Sequence, residues 1–267
     1  MPQGQWVAFD VSTEESHVCG VKNDPDISVK LSSKKRKEFE EDESIDLGYE
    51  DLTATTSEGK GRVYKTPDGE QYPSVTTVLS ILSREAIQAW RARVGEKEAN
   101  KISRVASSRG TAVHAILEKY VDNDPNYTEG YMPHVIQSFQ DVKSILDNNL
   151  DKVYSQEAPL YSQHLKLAGR VDCVGVWNGV NSIIDYKTSR KPKKKEWITG
   201  YFLQCAAYAI MWEERTGMPI TQLVIMIAVD NEDPQVFIEH RDNWTDKLWD
   251  TIKQYQKEKR MENVFGR

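Results

Sequence analysis

The apolar positions of this chain change period partway along it. From residue 73 to about 150 they recur at helical spacing. In "YPSVTTVLSIL", Val75, Val78, Leu79 and Leu82 fall on one face, and Ser74 is placed to cap the first turn. "REAIQAWRARVGEKEANKIS" continues helical. "SSRGTAVHAILEKYV" reopens the pattern with Val113, Ile116, Leu117 and Val121, and "MPHVIQSFQDVKSILDNNL" is a further amphipathic helix. The period then falls to two, and "VYSQEAPLYS", "HLKLAGRVDCVGVW" and "VNSIIDYKTS" read as strands. A helix follows in "GYFLQCAAYAIMWEERTG", ended by Gly217. "QLVIMIAVD" and "QVFIEHR" form a strand pair around an Asn-Glu-Asp-Pro turn, and "NWTDKLWDTIKQYQKEKR" closes the chain as an amphipathic helix. Helices, then a sheet with one embedded helix, then a final helix predict an α/β core behind a helical N-terminal lobe. No internal repeat is visible.

Residues 1–60 show no sustained period. "SSKKRKEFEEDESID" sets a basic block against an acidic one, the composition of a solvated, poorly ordered tail. "KKRK" within it also fits a nuclear-localisation signal, and "QWVAFDV" is strand-like. The expected organisation is an acidic tail over 1–60, open to a protein partner, and one folded domain over 61–267.

Charge changes this picture once it is divided. The whole chain carries −6, but residues 1–60 hold 14 acidic and 7 basic side chains, which leaves the body at +1. A polyanionic partner therefore stays open. Hydrophobic content of 39% with 28% charged residues is globular but polar. No apolar run approaches the ~20 residues of a membrane span, so no membrane partner is expected. The start lacks the pattern of a secretory signal, and Asp10, Glu14 and Glu15 argue against a transit peptide. Three scattered cysteines, Cys19, Cys173 and Cys205, exclude a disulfide framework and fit a reducing cytoplasm. They are too few for a four-cysteine iron–sulfur cluster.

Candidate chemistry starts at "GRVDCVGVWNGVNSIIDYKTS". If Asn178-Gly179 is a two-residue type I′ turn, cross-strand partners place Asp172 directly opposite Asp185. Arg170 and Lys187 then form the next pair on that face. Opposed like charges destabilise a sheet, and half-buried carboxylates call for a neutralising cation. Oxygen ligands favour Mg²⁺ or Mn²⁺. The tripeptide alone equally fits an exposed edge hairpin in which Lys187 pairs with one aspartate.

Five separated pieces in one order resolve that ambiguity. "YPSVTTVL", "RGTAVHAILEKY", "QEAPLYS" with "LAGRVDCVG", "IIDYKTSRKPK" and "LQCAAY" together resemble the PD-(D/E)xK nuclease superfamily in its RecB-like branch. The likeness is greatest to the mitochondrial genome maintenance and phage exonucleases of that branch, and it covers roughly residues 70 to 260. It implies a restriction-endonuclease-like core, a mixed β-sheet flanked by helices. It further implies metal ligation by His114, Asp172, Asp185 and the Tyr186 backbone carbonyl, with Glu157 reaching the metal or its water. Lys187 would orient the attacking water or stabilise the developing phosphorane charge. Gln204 and Tyr208, one helical turn apart, would position Lys187 or a substrate phosphate, with Thr188 and Ser189 beside them. Glu118 shares the face of His114. Arg190, Lys191, Lys193, Lys194 and Lys195 follow the DxK strand and suit a nucleic-acid backbone. Trp197 and Tyr201 are placed to stack on unpaired bases; Trp90, Arg91 and Arg93 are the candidates for an opposite wall, although Trp90 reads first as a core residue. The expectation is a metal-dependent DNA exonuclease preferring single-stranded ends, in a bacterial or phage-infected cytoplasm. A structure-specific endonuclease and a non-catalytic binding module are the competing readings.

Overall fold

A computed structural model of the chain describes residues 8–10, 15–17, 36–42, 44–57 and 61–265. Two compact units are distinguished, Met1–Arg36 and Lys37–Arg267. In the first, β1 (Ala8–Asp10) pairs antiparallel with β2 (Glu15–His17).

The second unit opens with a three-stranded antiparallel sheet, β3 (Thr53–Ser57), β4 (Gly61–Lys65) and β5 (Gln71–Pro73). Four helices follow: α1 (Val75–Leu79), α2 (Arg84–Val94), α3 (Glu96–Val121) and α4 (Pro133–Asn149). Ser74 caps α1 as its sequence implies, its hydroxyl accepting from the Thr77 N–H at 3.0 Å. The main sheet comprises β6 (Leu150–Ser162), β7 (Leu167–Trp177), β8 (Val180–Ser189), β9 (Gln222–Val229) and β10 (Gln235–His240). Its order is β10-β9-β8-β7-β6. Only β8 and β9 run parallel, and the helix between them, α5 (Thr199–Thr216), is the crossover that a parallel pair requires. α6 (Asp242–Phe265) closes the unit.

Each face of the sheet carries a core. On one, α1, α5 and α6 bury Phe202, Met211, Trp212 and Leu248 against Val174, Ile183 and Ile225. On the other, α3 and α4 bury Ile116, Tyr120, Phe139 and Leu146 against Cys173, Ile184 and Met226. The restriction-endonuclease-like α/β class expected of the sequence is the class observed. Cys173 and Cys205 are buried as small apolar residues.

Three expectations are corrected. The domain does not start at residue 61: its boundary falls at Lys37. Phe39 is buried against Tyr120 (ring centres 5.5 Å apart), and its backbone exchanges two 2.9 Å hydrogen bonds with the Asn123 amide. Asp42 pairs with Lys152 at 2.7 Å and Asp51 with Arg170, so two of the acids in this stretch have partners more than 100 residues away. Of the "KKRK" block, Lys37 is engaged by the Asp147 and Leu150 carbonyls at 2.7 Å each; residues 34 and 35 lie outside the described residues. Secondly, α3 does not reopen at Ser107 but runs unbroken for 26 residues. Thirdly, α2 and the first half of α3 bury almost nothing, so the helical lobe has no core of its own.

Phe39→Ala tests the new boundary. A core position of this kind costs about 3–5 kcal/mol, which lowers the melting temperature by roughly 10 °C. An unchanged melting curve would return residues 37–57 to the status of an appendage.

Candidate active site

The Asn178-Gly179 turn sets the site's geometry. Both residues have positive φ, 50° and 77°, as a type I′ turn needs. The register runs from Trp177 opposite Val180 to Cys173 opposite Ile184, which puts Asp172 and Asp185 next in line. At that point the strands stop pairing in the regular way. The Tyr186 N–H donates to Asp172 Oδ2 at 2.8 Å, a side chain taking the place of the strand backbone. On the other side of β7 the ladder skips as well, from Gln156 opposite Cys173 to Ala158 opposite Val171. The residue between, Glu157, has φ 47°, a conformation that re-aims its side chain.

Three elements converge on this gap. The buried face of α3 (Val113, Ile116, Leu117) seats His114 over β7, with Nδ1 3.6 Å from Asp172 Oδ1. One ligand atom each from His114, Glu157 and Asp172 lies within 4.8 Å of the others. Burial, followed by the Asp172 and Glu118 charges, pushes the Glu157 carboxyl up to about 7. Burial and Asp122 likewise raise Glu118. Asp185 lies beneath, 1% exposed. Apart from the Lys187 ammonium against Oδ2, neither of its carboxylate oxygens accepts a hydrogen bond. Burial pushes Asp185 upward while Lys187 opposes it. For Lys187, burial works against the charge, but the Asp185 and Asp172 carboxylates outweigh it and hold the ammonium above its ordinary value. The contact between the two favours the charged pair. Tyr201 supports Lys187, its ring centre 5.1 Å from Nζ.

The Gln204–Tyr208 pair reaches the site from below. Tyr208 is buried beside Gly169, where a Cβ would come within 2.8 Å of its hydroxyl, and the Gln204 side chain hydrogen-bonds it. Glycine at 169 is thus a matter of space, not of backbone freedom.

Thr188 and Ser189 carry β8 out of the centre into a groove of about 1300 Å³. Ser189 caps its own turn, its hydroxyl donating to the Lys191 carbonyl at 2.6 Å. Arg190, Lys191 and Lys193 line one side of the groove. Lys194 and Lys195 do not: Lys194 sits 5.4 Å from the Trp197 ring centre, and Lys195 is ion-paired with Glu239. Trp197 itself is 66% exposed. The expected opposite wall is replaced. Arg91 is occupied by Glu96 and Asn100, and the cations facing the loop come from α3: Lys101 and Arg104, with Arg109 beside them but paired to Asp230. Their i, i+3 and i+8 spacing is the signal that would have found them, but in sequence they read as a solvated helix face.

The donor set suits a hard divalent cation: an imidazole, carboxylate oxygens, and the buried Asp185 carboxylate, whose Oδ1 has no hydrogen-bond partner and whose Oδ2 meets only the Lys187 ammonium. Beyond the described acids, no helix among the described residues is long and apolar enough to cross a membrane.

A mixed sheet that carries two aspartates and a lysine, with the lysine's strand running on into a cationic groove, fits one class of protein, a nuclease. Residues 88–265 match the model of the PD-(D/E)XK nuclease superfamily, and the chain belongs to that superfamily. Among curated relatives, mitochondrial genome maintenance exonuclease 1 of Xenopus tropicalis is 27% identical over 185 residues, 61% of this chain and 50% of the relative. The Mus musculus protein of the same name is 28% identical over 129 residues, 45% of this chain and 38% of the relative. The chain thus spans about half or less of the length of these relatives. A crystal structure from Eubacterium rectale, assigned only provisionally as an exonuclease, aligns with TM-score 0.41 at 14% identity over 59% of this chain and 68% of that one.

The raised carboxyls give the metal-free protein a pH signature. Glu157 holds a proton in the folded state over a pH range in which the unfolded chain has already lost it. Stability therefore falls as pH rises from the ordinary carboxylate range to about 7. A divalent cation removes the penalty, so its stabilising effect grows over the same window. Melting curves in EDTA, Mg²⁺ and Mn²⁺ at pH 5 and pH 7.5 check this; a metal effect equal at both pH values contradicts it.

Proposed function

We propose that the chain is a divalent-metal-dependent exonuclease that hydrolyses DNA phosphodiester bonds, preferring single-stranded ends. The observation that carries this reading is the buried Asp185–Lys187 pair beside the His114, Glu157 and Asp172 cluster, at the mouth of a groove with cations on both walls. Asp172, Asp185 and His114 would hold the metal, with the Tyr186 carbonyl as a further oxygen and Glu157 on its open side. Bound there, Mg²⁺ or Mn²⁺ supplies Lewis acidity toward the scissile phosphate and water; the imidazole suits Mn²⁺ better.

The chain's own groups do the rest. Lys187, released from Asp185, orients the attacking water and offsets the charge of the pentavalent phosphate. Tyr201 and the Gln204–Tyr208 pair fix the position of that ammonium. Arg190, Lys191 and Lys193 opposite Lys101 and Arg104 take the phosphate backbone. Single-strand preference is supported by the apolar floor of the same groove, where Val105 is 59% and Met132 63% exposed. Large apolar side chains left open inside a basic groove suit unpaired bases. In-line attack leaves 5′-phosphate and 3′-hydroxyl ends. The names of the curated relatives support an end-directed activity on a genome.

End-labelled single strands and covalently closed circles, incubated in Mg²⁺, Mn²⁺ and EDTA, test the proposal. Linear strands should be lost in metal alone, and Asp185→Ala and Lys187→Ala should each slow the loss at least about a hundredfold, the scale of removing one transition-state stabiliser. Cutting of circles would make it an endonuclease. Binding without cleavage under any metal would leave a binding module.

A further inference from the structure

A second groove, of about 430 Å³, lies between β5, the turn joining β6 to β7, and the C-terminal half of α6. It shares no lining residue with the catalytic groove. Its charge is one-sided: Lys166, Lys259 and Arg260 line it and no carboxylate does, whereas the catalytic groove includes Glu98 and Asp230.

Three acids near this groove are already engaged. Glu258 pairs with Arg84 at 2.8 Å, Asp68 accepts from Thr66 and Gln163, and Glu262 takes Lys259 at 2.6 Å. Among the described residues Lys166 and Arg260 have no ion-pair partner.

Lys166 is held in an unusual way. Its φ of 55° is the left-handed conformation that Gly or Asn adopts with less strain. Its ammonium donates to the Tyr72 hydroxyl at 3.2 Å and sits 5.3 Å from the Tyr72 ring centre. A strained backbone that fixes a cation over a groove is a feature with a use. Beside the groove on α6, Lys253 lies 5.4 Å from the Trp249 ring centre and His164 stacks on that ring at 7°.

We propose that this groove is a second backbone-binding site, taking phosphates of the uncleaved part of the nucleic-acid strand whose end lies in the catalytic centre. The inference rests on the nuclease reading above. A polyanion is the ligand that fits cations with no competing acid, and the chain's own substrate is the polyanion at hand. β7 connects the two sites, from Leu167 at the second groove to Asp172. At about 3.3 Å per residue the span is roughly 17 Å. At about 3.4 Å per stacked nucleotide that straight line is about five steps, or six nucleotides, and the path of a bound strand is longer because the two grooves lie on opposite layers of the sheet. Longer strands therefore engage both sites and the shortest only one.

The test compares the parent with Lys166→Glu/Arg260→Glu, with the milder Lys166→Gln/Arg260→Gln, and with Arg260→Glu alone, which changes only an exposed helix position. Binding of a fluorescent thirty-nucleotide strand is measured in EDTA across a salt series, and cleavage of a four-nucleotide strand in Mn²⁺. The double reversal should weaken binding of the long strand at least about tenfold and reduce the salt slope by about 1.4, two contacts at 0.7 each. Cleavage of the short strand should stay within about twofold of the parent. Unchanged long-strand affinity and salt slope in all variants overturn the second site while leaving the nuclease intact. Equal loss for both strands also overturns it, because the effect then runs through the catalytic groove or the fold. A parent that neither binds nor cleaves removes the nuclease reading itself and the second site with it.

Discussion

A carboxylate 1% exposed, facing a second carboxylate across a strand gap, is the constraint on which the rest of this structure depends. Leaving Asp185 charged and unpaired in the interior is far more costly than any one packing contact is favourable. Lys187, two residues on along the same strand, provides the immediate relief. That relief requires support in turn. The Tyr201 ring lies under the ammonium, and Tyr208 fills the space that Gly169 leaves open, so α5 is fixed against the sheet where the Asp185–Lys187 charges are buried. The parallel β8–β9 pairing requires this crossover helix, and β8 gains its back wall from the same connection.

The gap between β7 and β8 has the same origin. Regular pairing beyond Cys173 and Ile184 would press Asp172 against Asp185; instead Asp172 accepts the Tyr186 N–H and turns toward His114. The positive φ of Glu157 brings a third acid to the opening. Acids collected this way repel one another until a cation joins them, and the upward shift of Glu157 measures that repulsion as well as its burial. The α3 helix joins both requirements: its inner half is core and holds His114, and its outer half lies exposed with Lys101 and Arg104 facing the basic loop.

What the sequence made legible was whatever local pattern determines. Asn178-Gly179 dictates its own turn, hence the register, hence the opposition of the two aspartates. The helical stripes of α1, α4 and α5 and the period-two strands were equally plain. Features set by distant partners were not. Residues 37–57 read as an acidic tail because Asp42, Asp51 and Phe39 find Lys152, Arg170 and Tyr120 only in the folded chain. The small sheet of β3 to β5 escaped notice, although Pro67-Asp68-Gly69 is a turn signal between two tyrosine-bearing strands. Lys195 looked like part of a basic loop until Glu239 was seen to claim it. Ser107-Ser108-Arg109-Gly110 resembled a helix break, yet Arg109 is tied to Asp230 and to Ser138, which carries α3 straight through.

The most direct measurement of the central claim is a crystal structure of the protein soaked in Mn²⁺, with the metal located by its anomalous signal. The account predicts a Mn²⁺ peak within coordinating distance of His114, Asp172 and Asp185, with the Lys187 ammonium moved away from Asp185 Oδ2. A saturating soak that leaves this gap without a peak, and Lys187 still against Asp185, would contradict it.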